Sequence, residues 1–253
     1  MIEVDGVSKA FSIPDVRRDT VREHVLGLFR PRHFRRLAVL DRVGFEVKAG
    51  ETVGIMGRNG SGKSTLLKII AGIYPPDQGT VHLGGSVTPI LELGVGWNPA
   101  LDAIDNIYLL GSVMGLSLGE IRAGLDEILE FAELVPFANL KLMHYSSGMA
   151  ARLAYSVAFK AVREVLILDE IFAVGDAGFK ARCVQRHREL SAAGHTILLV
   201  THDPVVISKF CDRALLLEQG HILTEGSGEM IADQYLRLLT QQGPSSGLVA
   251  SHR

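Results

Sequence analysis

Residues 52 to 65 run from a strand-like apolar stretch, Thr52-Val53-Gly54-Ile55-Met56, directly into Gly57-Arg58-Asn59-Gly60-Ser61-Gly62-Lys63-Ser64-Thr65. Apolar residues at helical spacing follow at Leu66, Leu67, Ile69 and Ile70. A buried strand, a glycine-rich turn and a helix in that order leave few folds open. Gly57, Gly60 and Gly62 carry no Cβ, so backbone N–H groups around Asn59 and Ser61 can curl round phosphate oxygens, with the positive end of the next helix behind them. The GxxxxGK[ST] spacing gives Lys63 the outer phosphates and the Ser64 hydroxyl a Mg²⁺ ion, with Thr65 closing the loop. A bare glycine turn has no need of a lysine.

The bulk of the chain sets wide bounds. Its 253 residues, 47% hydrophobic, suffice for one large domain or a domain with a subdomain. The balance of 26 basic against 28 acidic residues, a net charge of -2, removes any global electrostatic case for binding nucleic acid. Cys183 and Cys211 stand apart, without CxxC or histidine spacing, and read as small buried residues of a reducing compartment. No window approaches 18 uninterrupted apolar residues, and Met1-Ile2-Glu3-Val4-Asp5 lacks a basic leader pattern. The expectation is a soluble, cytosolic chain whose apolar balance leaves room for docking on something larger.

Strand-length apolar runs recur at 52–56, 88–91, 165–168, 196–200 and 214–217, with helix-like stretches between several of them. That alternation predicts an α/β fold with a mostly parallel, helix-covered sheet. From about 98 to 160 strand signals vanish and helices are expected at 101–115, 118–131 and 146–160, a helical subdomain inserted into the core. The nucleotide-binding region is expected to span 1–241, with a flexible tail at 242–253 beginning near Gly243-Pro244-Ser245-Ser246-Gly247. A basic insertion at 14–36 holds seven arginines against three acids. Within it Val21, Val25, Leu28 and Phe29 share one helical face, while Arg17, Arg18 and Arg22 lie mostly elsewhere. Such a helix either packs on its own domain or meets anionic lipid headgroups, a membrane-embedded partner or an acidic ligand.

Val165-Leu166-Ile167-Leu168-Asp169-Glu170 has the form of a buried strand delivering two carboxylates to the carboxyl edge of the sheet. Asp169 would hold Mg²⁺ through water, and Glu170 would orient or deprotonate a hydrolytic water. Upstream, Tyr145-Ser146-Ser147-Gly148-Met149 opens a helix and is either an N-cap or a second phosphate site. Downstream come Gly175-Asp176 and, after the strand at 196–200, Thr201-His202-Asp203.

In this order the motifs resemble the ATPase subunits of ABC transporters over residues 1 to about 240. The resemblance implies the P-loop ABC ATPase fold: a mostly parallel core sheet, an antiparallel β subdomain and an inserted helical subdomain. It implies ATP and Mg²⁺ as cofactors and a head-to-tail homodimer, in which Ser146, Ser147 and Gly148 of one copy cover the ATP held by the other. The family signature normally reads Leu-Ser-Gly-Gly-Gln; here Tyr145 and Met149 replace its ends and Ser147 its first glycine. By the same resemblance Phe11 stacks on adenine, Asp176 lies in the loop that crosses the dimer interface, and His202 contacts the γ-phosphate beside the catalytic Glu170 and Lys63. Phe11 as a core residue and His202 as a structural one are the competing readings. Glu92 replaces a usual glutamine linking Mg²⁺ to the transport partner, and nearby Trp97 is a core or subunit-interface anchor.

Leu-Glu-Leu-Gly-x-Gly-x-x-Pro, Tyr-Ser-Ser-Gly-Met-x-x-Arg-Leu, Ala-Val-Gly-Asp and the basic insertion are together similar to ABC exporters of lipid-linked polysaccharides, the O-antigen, teichoic acid and capsule group. This implies an integral-membrane permease as partner, a polyprenyl-diphosphate-linked glycan as substrate, and a peripheral position on the cytoplasmic face of the cytoplasmic membrane. No room is expected for the extra C-terminal glycan-binding sandwich of some members. A soluble ABC ATPase acting on ribosomes or DNA is the main alternative, although ribosome-associated members usually carry two cassettes. A phosphotransferase would not explain Ser146-Ser147-Gly148. A GTPase would need an Asn-Lys-x-Asp motif that the chain lacks, and a non-hydrolysing module would be expected to lack an acid at Glu170.

Overall fold

The computed structural model describes residues 1–14, 34–90, 96–169 and 176–241. The chain opens with β1 (Ile2–Pro14), β2 (Phe34–Val47), β3 (Thr52–Met56), α1 (Lys63–Ile70), β4 (Gln78–Leu83) and β5 (Val87–Ile90). Three helices follow, α2 (Ala103–Val113), α3 (Leu118–Ala132) and α4 (Ser147–Lys160). The chain then alternates through β6 (Val165–Asp169), α5 (Ala177–Ala192), β7 (Thr196–Val200), α6 (Pro204–Phe210), β8 (Arg213–Glu218), β9 (His221–Gly226) and α7 (Gly228–Gln241).

A three-stranded antiparallel sheet runs β2-β1-β4, and a six-stranded sheet runs β5-β6-β7-β3-β8-β9, parallel except for β9 at its edge. The parallel strands are buried on both faces, and residue alternation sends successive side chains into different cores. Val53, Ile55, Val165, Ile167, Leu198 and Val200 pack with Leu66, Leu67 and Ile70 of α1 and with Ile2, Val4, Leu40 and Phe45 of the antiparallel sheet. Leu166, Leu168, Ile197 and Leu199 point the other way, onto Tyr155, Phe159, Phe179 and Cys183. Helix α1 therefore sits between the two sheets, and the glycine-rich loop that begins it lies at their junction.

The strands expected at 52–56 and 196–200 have those bounds, and the other three expected strands lie within one residue at each end. The apolar runs did not mark β1, β2, β4 or β9. Those strands pair antiparallel: β9 alternates exposed and half-buried residues and β4 is exposed but for half-buried Val81, so neither spells an apolar run, while the sequence reading passed over the run Leu37-Ala38-Val39-Leu40 in β2. The basic insertion ends in sheet: Pro14 pairs with Phe34 and Ile13 with Arg35. Its expected helix lies outside the described residues, as do Glu92, Glu170 and the tail. Helices α2, α3 and α4 share a core of their own around Ile107, Ile121, Ile128, Leu153 and Val157, against which half-buried Trp97 packs. Cys183 is buried and Cys211 half-buried, both free thiols pushed up to about 12 by burial, which keeps them protonated.

Helix α3 begins with a reciprocal cap: the Ser117 hydroxyl accepts from the Glu120 amide at 3.2 Å, and the Ser117 amide donates to the Glu120 carboxylate at 2.8 Å. The Ser117 amide and hydroxyl, with Arg163 beyond, hold the Glu120 carboxyl down at about 2. A depressed carboxyl contributes stability above its unfolded value, lost as pH falls toward the folded one. Ser117→Ala is expected to cost about 1 kcal/mol by urea unfolding at neutral pH. That cost should shrink between the ordinary glutamate value of 4.5 and about 2.

Candidate nucleotide site

Three parallel strands end level with one another. Asp169 on β6 pairs with Val200 on β7, and Val200 pairs with Ile55 on β3. The segments leaving those strands, Gly57 onward and Thr201-His202, emerge with Asp169 at one carboxyl edge, where open α/β sheets bind ligands.

Within the loop, Gly62 has a φ of 108°, and a Cβ there would stand 2.9 Å from the Val39 carbonyl oxygen. A Cβ on Gly57 would stand 2.1 Å from the Leu217 carbonyl oxygen. No side chain fits at either place, so the chain wraps closely enough to aim its amides inward. The Gly62 carbonyl accepts from Leu66 N–H at 2.9 Å and starts α1 without a side-chain cap, leaving the helix N-terminus to an anion.

Lys63 is only 8% exposed; its ammonium donates to the carbonyls of Gly57 at 2.7 Å and Arg58 at 2.9 Å. The Ser64 hydroxyl lies 3.5 Å from an Asp169 carboxylate oxygen. These groups line an open cleft of about 560 Å³ with Asn59, Gly60, Gly62 and Thr65, and with Leu37 and Val39 from β2 as its apolar wall. Its size and lining suit a nucleoside triphosphate: amides and a buried ammonium for the phosphates, an apolar wall beside them. The hydroxyl and carboxylate are hard oxygen donors of the kind Mg²⁺ takes.

Other sequence-predicted residues fall elsewhere. Phe11 on β1 stands opposite Leu37, so it borders the cleft wall, half-buried with its ring edge-on to Tyr74 at 5.8 Å. His202 is exposed at the end of β7. Ser61 is buried, its carbonyl accepting from the Gly220 amide at 3.0 Å. Ser146 caps α4, its hydroxyl accepting from Met149 N–H at 3.2 Å; Ser146 and Ser147 are exposed and Gly148 half-buried, all outside the cleft. Asp176 caps α5 and is exposed; the Phe179 amide at 2.9 Å is the main cause holding its carboxyl below the usual range.

The sequence reading did not find Leu37, Val39 or Gly220. Gln219 and Gly220 form the β8–β9 turn, both at positive φ, 48° and 82°. The Gly220 carbonyl accepts from Asp41 on β2 at 3.0 Å while its amide holds Ser61, so this turn ties the phosphate loop to both sheets. A turn signal after the 214–217 strand could have marked it. Leu37 and Val39 carry no chemical signature and become visible only through strand pairing.

A strand-loop-helix phosphate cradle joined to a strand-end carboxylate on such a sheet defines a P-loop nucleoside triphosphatase. The sequence profile of the family described as ABC transporter matches residues 40–173. The chain is 38% identical to the ABC transporter protein AbcA of Aeromonas salmonicida, covering 96% of this chain and 78% of that one. It is 41% identical to the O-antigen export system ATP-binding protein RfbB of Klebsiella pneumoniae, over 79% of this chain and 82% of that one. With the teichoic acids export ATP-binding protein TagH of Listeria monocytogenes it shares 34% identity over 90% and 68% of the two chains. Among solved structures, the dimeric MJ0796, a bacterial ABC transporter cassette, is similar at a TM-score of 0.71 and 25% identity, covering 90% of this chain and 98% of that one. The chain belongs to the ABC transporter family, as an ATP-binding subunit whose ATP hydrolysis is coupled to transport.

Three substitutions separate loop chemistry from loop support. Lys63→Ala should weaken binding of a fluorescent ATP analogue by at least about tenfold, about 1.4 kcal/mol, with little change in melting temperature. Gly220→Ala should lower stability by more than the roughly 1–2 kcal/mol of a Cβ at left-handed φ, because that Cβ would also stand 2.6 Å from the Val39 carbonyl oxygen, and weaken the analogue as well. Gly194→Ala, at a similar φ of 85° with open space around it, should lower stability but leave nucleotide affinity unchanged.

Proposed function

We propose that this subunit powers an ABC exporter that moves a polyprenyl-diphosphate-linked polysaccharide across the cytoplasmic membrane, O-antigen first and teichoic acid or capsule glycan next. The single observation that carries the reading is the 41% identity to an O-antigen export ATP-binding protein, over most of both chains. The four subfamily motifs read from the sequence agree with it, and the teichoic acid relative widens the glycan class.

Residues 1–241 act as one ATPase domain, with the helical part from about 98 to 160 inserted in it. Two copies pair head to tail, each bringing Ser146, Ser147 and Gly148 to the ATP on its partner's phosphate loop. The exposure of that turn outside its own cleft and the dimeric cassette among the similar structures support this. Lys63 and the loop amides hold the phosphates, Ser64 and Asp169 hold Mg²⁺, Phe11 stacks on adenine, and Asp176 crosses the interface. Glu170 orients the attacking water with His202 at the γ-phosphate. Glu92 takes the role of the usual glutamine that links Mg²⁺ to the transport partner.

Among the described residues no helix is long and apolar enough to cross a membrane. An integral-membrane permease supplies the path, and this subunit sits beneath it on the cytoplasmic face. Closure of the two copies on ATP drives the permease, and hydrolysis resets it. The basic helix expected near 15–30 lies close to the membrane and meets the diphosphate linker, on the strength of its charge and amphipathic spacing. A soluble ABC ATPase is the second reading and gains support from no described contact.

Glu170→Gln should bind ATP as the parent does while steady-state hydrolysis falls by at least about a hundredfold, the scale of a lost general base. Affinity purification of that variant with ATP from native membranes should bring down a stoichiometric polytopic membrane protein with polyprenyl-linked glycan. Ribosomal or DNA-repair proteins in its place would move the assignment to the soluble class. Replacing Arg17, Arg18 and Arg22 with glutamate should impair glycan export and leave ATP binding intact, read by surface-glycan immunoblot; unchanged export counts against a role for that segment.

A further inference from the structure

We propose that Glu133, which no motif marks, is a positioning residue for the ATPase, acting through Arg152 and Arg182; the inference rests on the ATP-hydrolysing dimer described above. Glu133 closes α3 in the left-handed conformation, at a φ of 59°. Helix ends of this kind favour glycine or asparagine, because a larger side chain crowds the backbone there. Helix termination therefore does not explain a glutamate at this position.

Its carboxylate does. One oxygen accepts from Arg152 on α4 at 2.9 Å, and the other lies 2.7 Å from Arg182 on α5. Arg152 stands less than two turns from the Ser146 cap, its side chain only 18% exposed, and its guanidinium also lies 3.8 Å from the Asp176 carboxylate at the start of α5. Arg182 donates back to the Glu130 carbonyl in the last turn of α3 at 3.2 Å. One carboxylate thus ties the end of α3 to the helix that carries the signature turn and to the helix that begins at the Asp176 turn. Because each oxygen takes a different guanidinium, the pair of contacts fixes α4 and α5 relative to one another.

The two turns so joined are the two that must meet the partner copy together when the dimer closes. An exposed ion pair contributes little to stability, but a link that keeps both turns in register acts on the closed state in which hydrolysis occurs. None of the three residues lines the phosphate cleft, so ATP binding to one chain should not sense the link.

The test uses the purified full-length chain. Glu133→Gln should lower kcat by about tenfold and bring the Hill coefficient in ATP toward one, while the Kd of a fluorescent ATP analogue changes by less than about twofold. Arg182→Gln, approaching the link from α5 on an exposed side chain, should reproduce that pattern. Glu133→Asn separates positioning from folding: asparagine accepts the left-handed backbone, so its melting temperature should match or exceed the parent's while kcat falls as for glutamine. Wild-type kcat and Hill coefficient in these variants, or losses that track only the folded fraction, overturn the proposal. A parent chain that hydrolyses no ATP, or a Lys63→Ala variant as active as the parent, overturns the ATPase reading and this inference with it.

Discussion

A mostly buried ammonium, placed where backbone amides already converge, is the constraint around which this chain is built. Taking a cation out of water costs several kcal/mol unless nearby dipoles replace the solvent. Here the carbonyls of Gly57 and Arg58, in the loop itself, accept from Lys63. That arrangement works only if the loop cannot relax. Its stiffness comes from outside: α1 locked between two sheets, Gly57 pressed against β8, and Gly220 bonded to Ser61 on one side and, through its carbonyl, to Asp41 on the other. The anion that neutralises this concentration of positive charge meets a cradle whose shape was fixed on folding.

The same architecture divides the labour between two surfaces. The cleft holds Lys63, Ser64 and Asp169, carried at or beyond the ends of two parallel strands of one sheet, β3 and β6. Ser146 and its neighbours, by contrast, stand on helices with their own apolar core, exposed and away from that cleft. A chain built so offers one half of a site on each of two faces, which suits a pair of copies working in opposition. The network of Glu133, Arg152, Arg182 and Asp176 lies between the signature helix and the core helix that follows β6, where movement of one part must be felt by the other.

Legibility in the sequence followed burial. Parallel strands buried on both faces wrote themselves as apolar runs and were placed within a residue, and the glycine-lysine loop declared its chemistry because few other needs call for that spacing. The antiparallel strands β1, β4 and β9 left no run of that length, and the run Leu37-Ala38-Val39-Leu40 of β2 went unread. Leu37 reaches the cleft through its pairing with Phe11, a contact between residues separated by the basic insertion, and no local pattern carries that information. Glu133 is still less legible: an ordinary surface glutamate in sequence, it acquires meaning only from the backbone conformation it occupies and the two arginines that folding brings to it.

At Ser146 the N-cap reading of the signature turn is observed, and it is chemically compatible with the phosphate-site reading. As the N-cap of α4 its hydroxyl oxygen accepts from the Met149 amide. A hydroxyl has one proton to give as well as lone pairs to offer. Capping uses the oxygen as an acceptor and leaves donation to an incoming phosphate compatible with it, while the cap holds the side chain in a single rotamer beside the positive end of the helix. The substitution of Ser147 for a glycine is tolerated for a related reason: the residue lies in the first turn of a regular helix, where a side chain points outward and no left-handed φ is required. On the head-to-tail pairing proposed above, helix capping and phosphate recognition would ask for the same residue at Ser146, with no separate device needed for each.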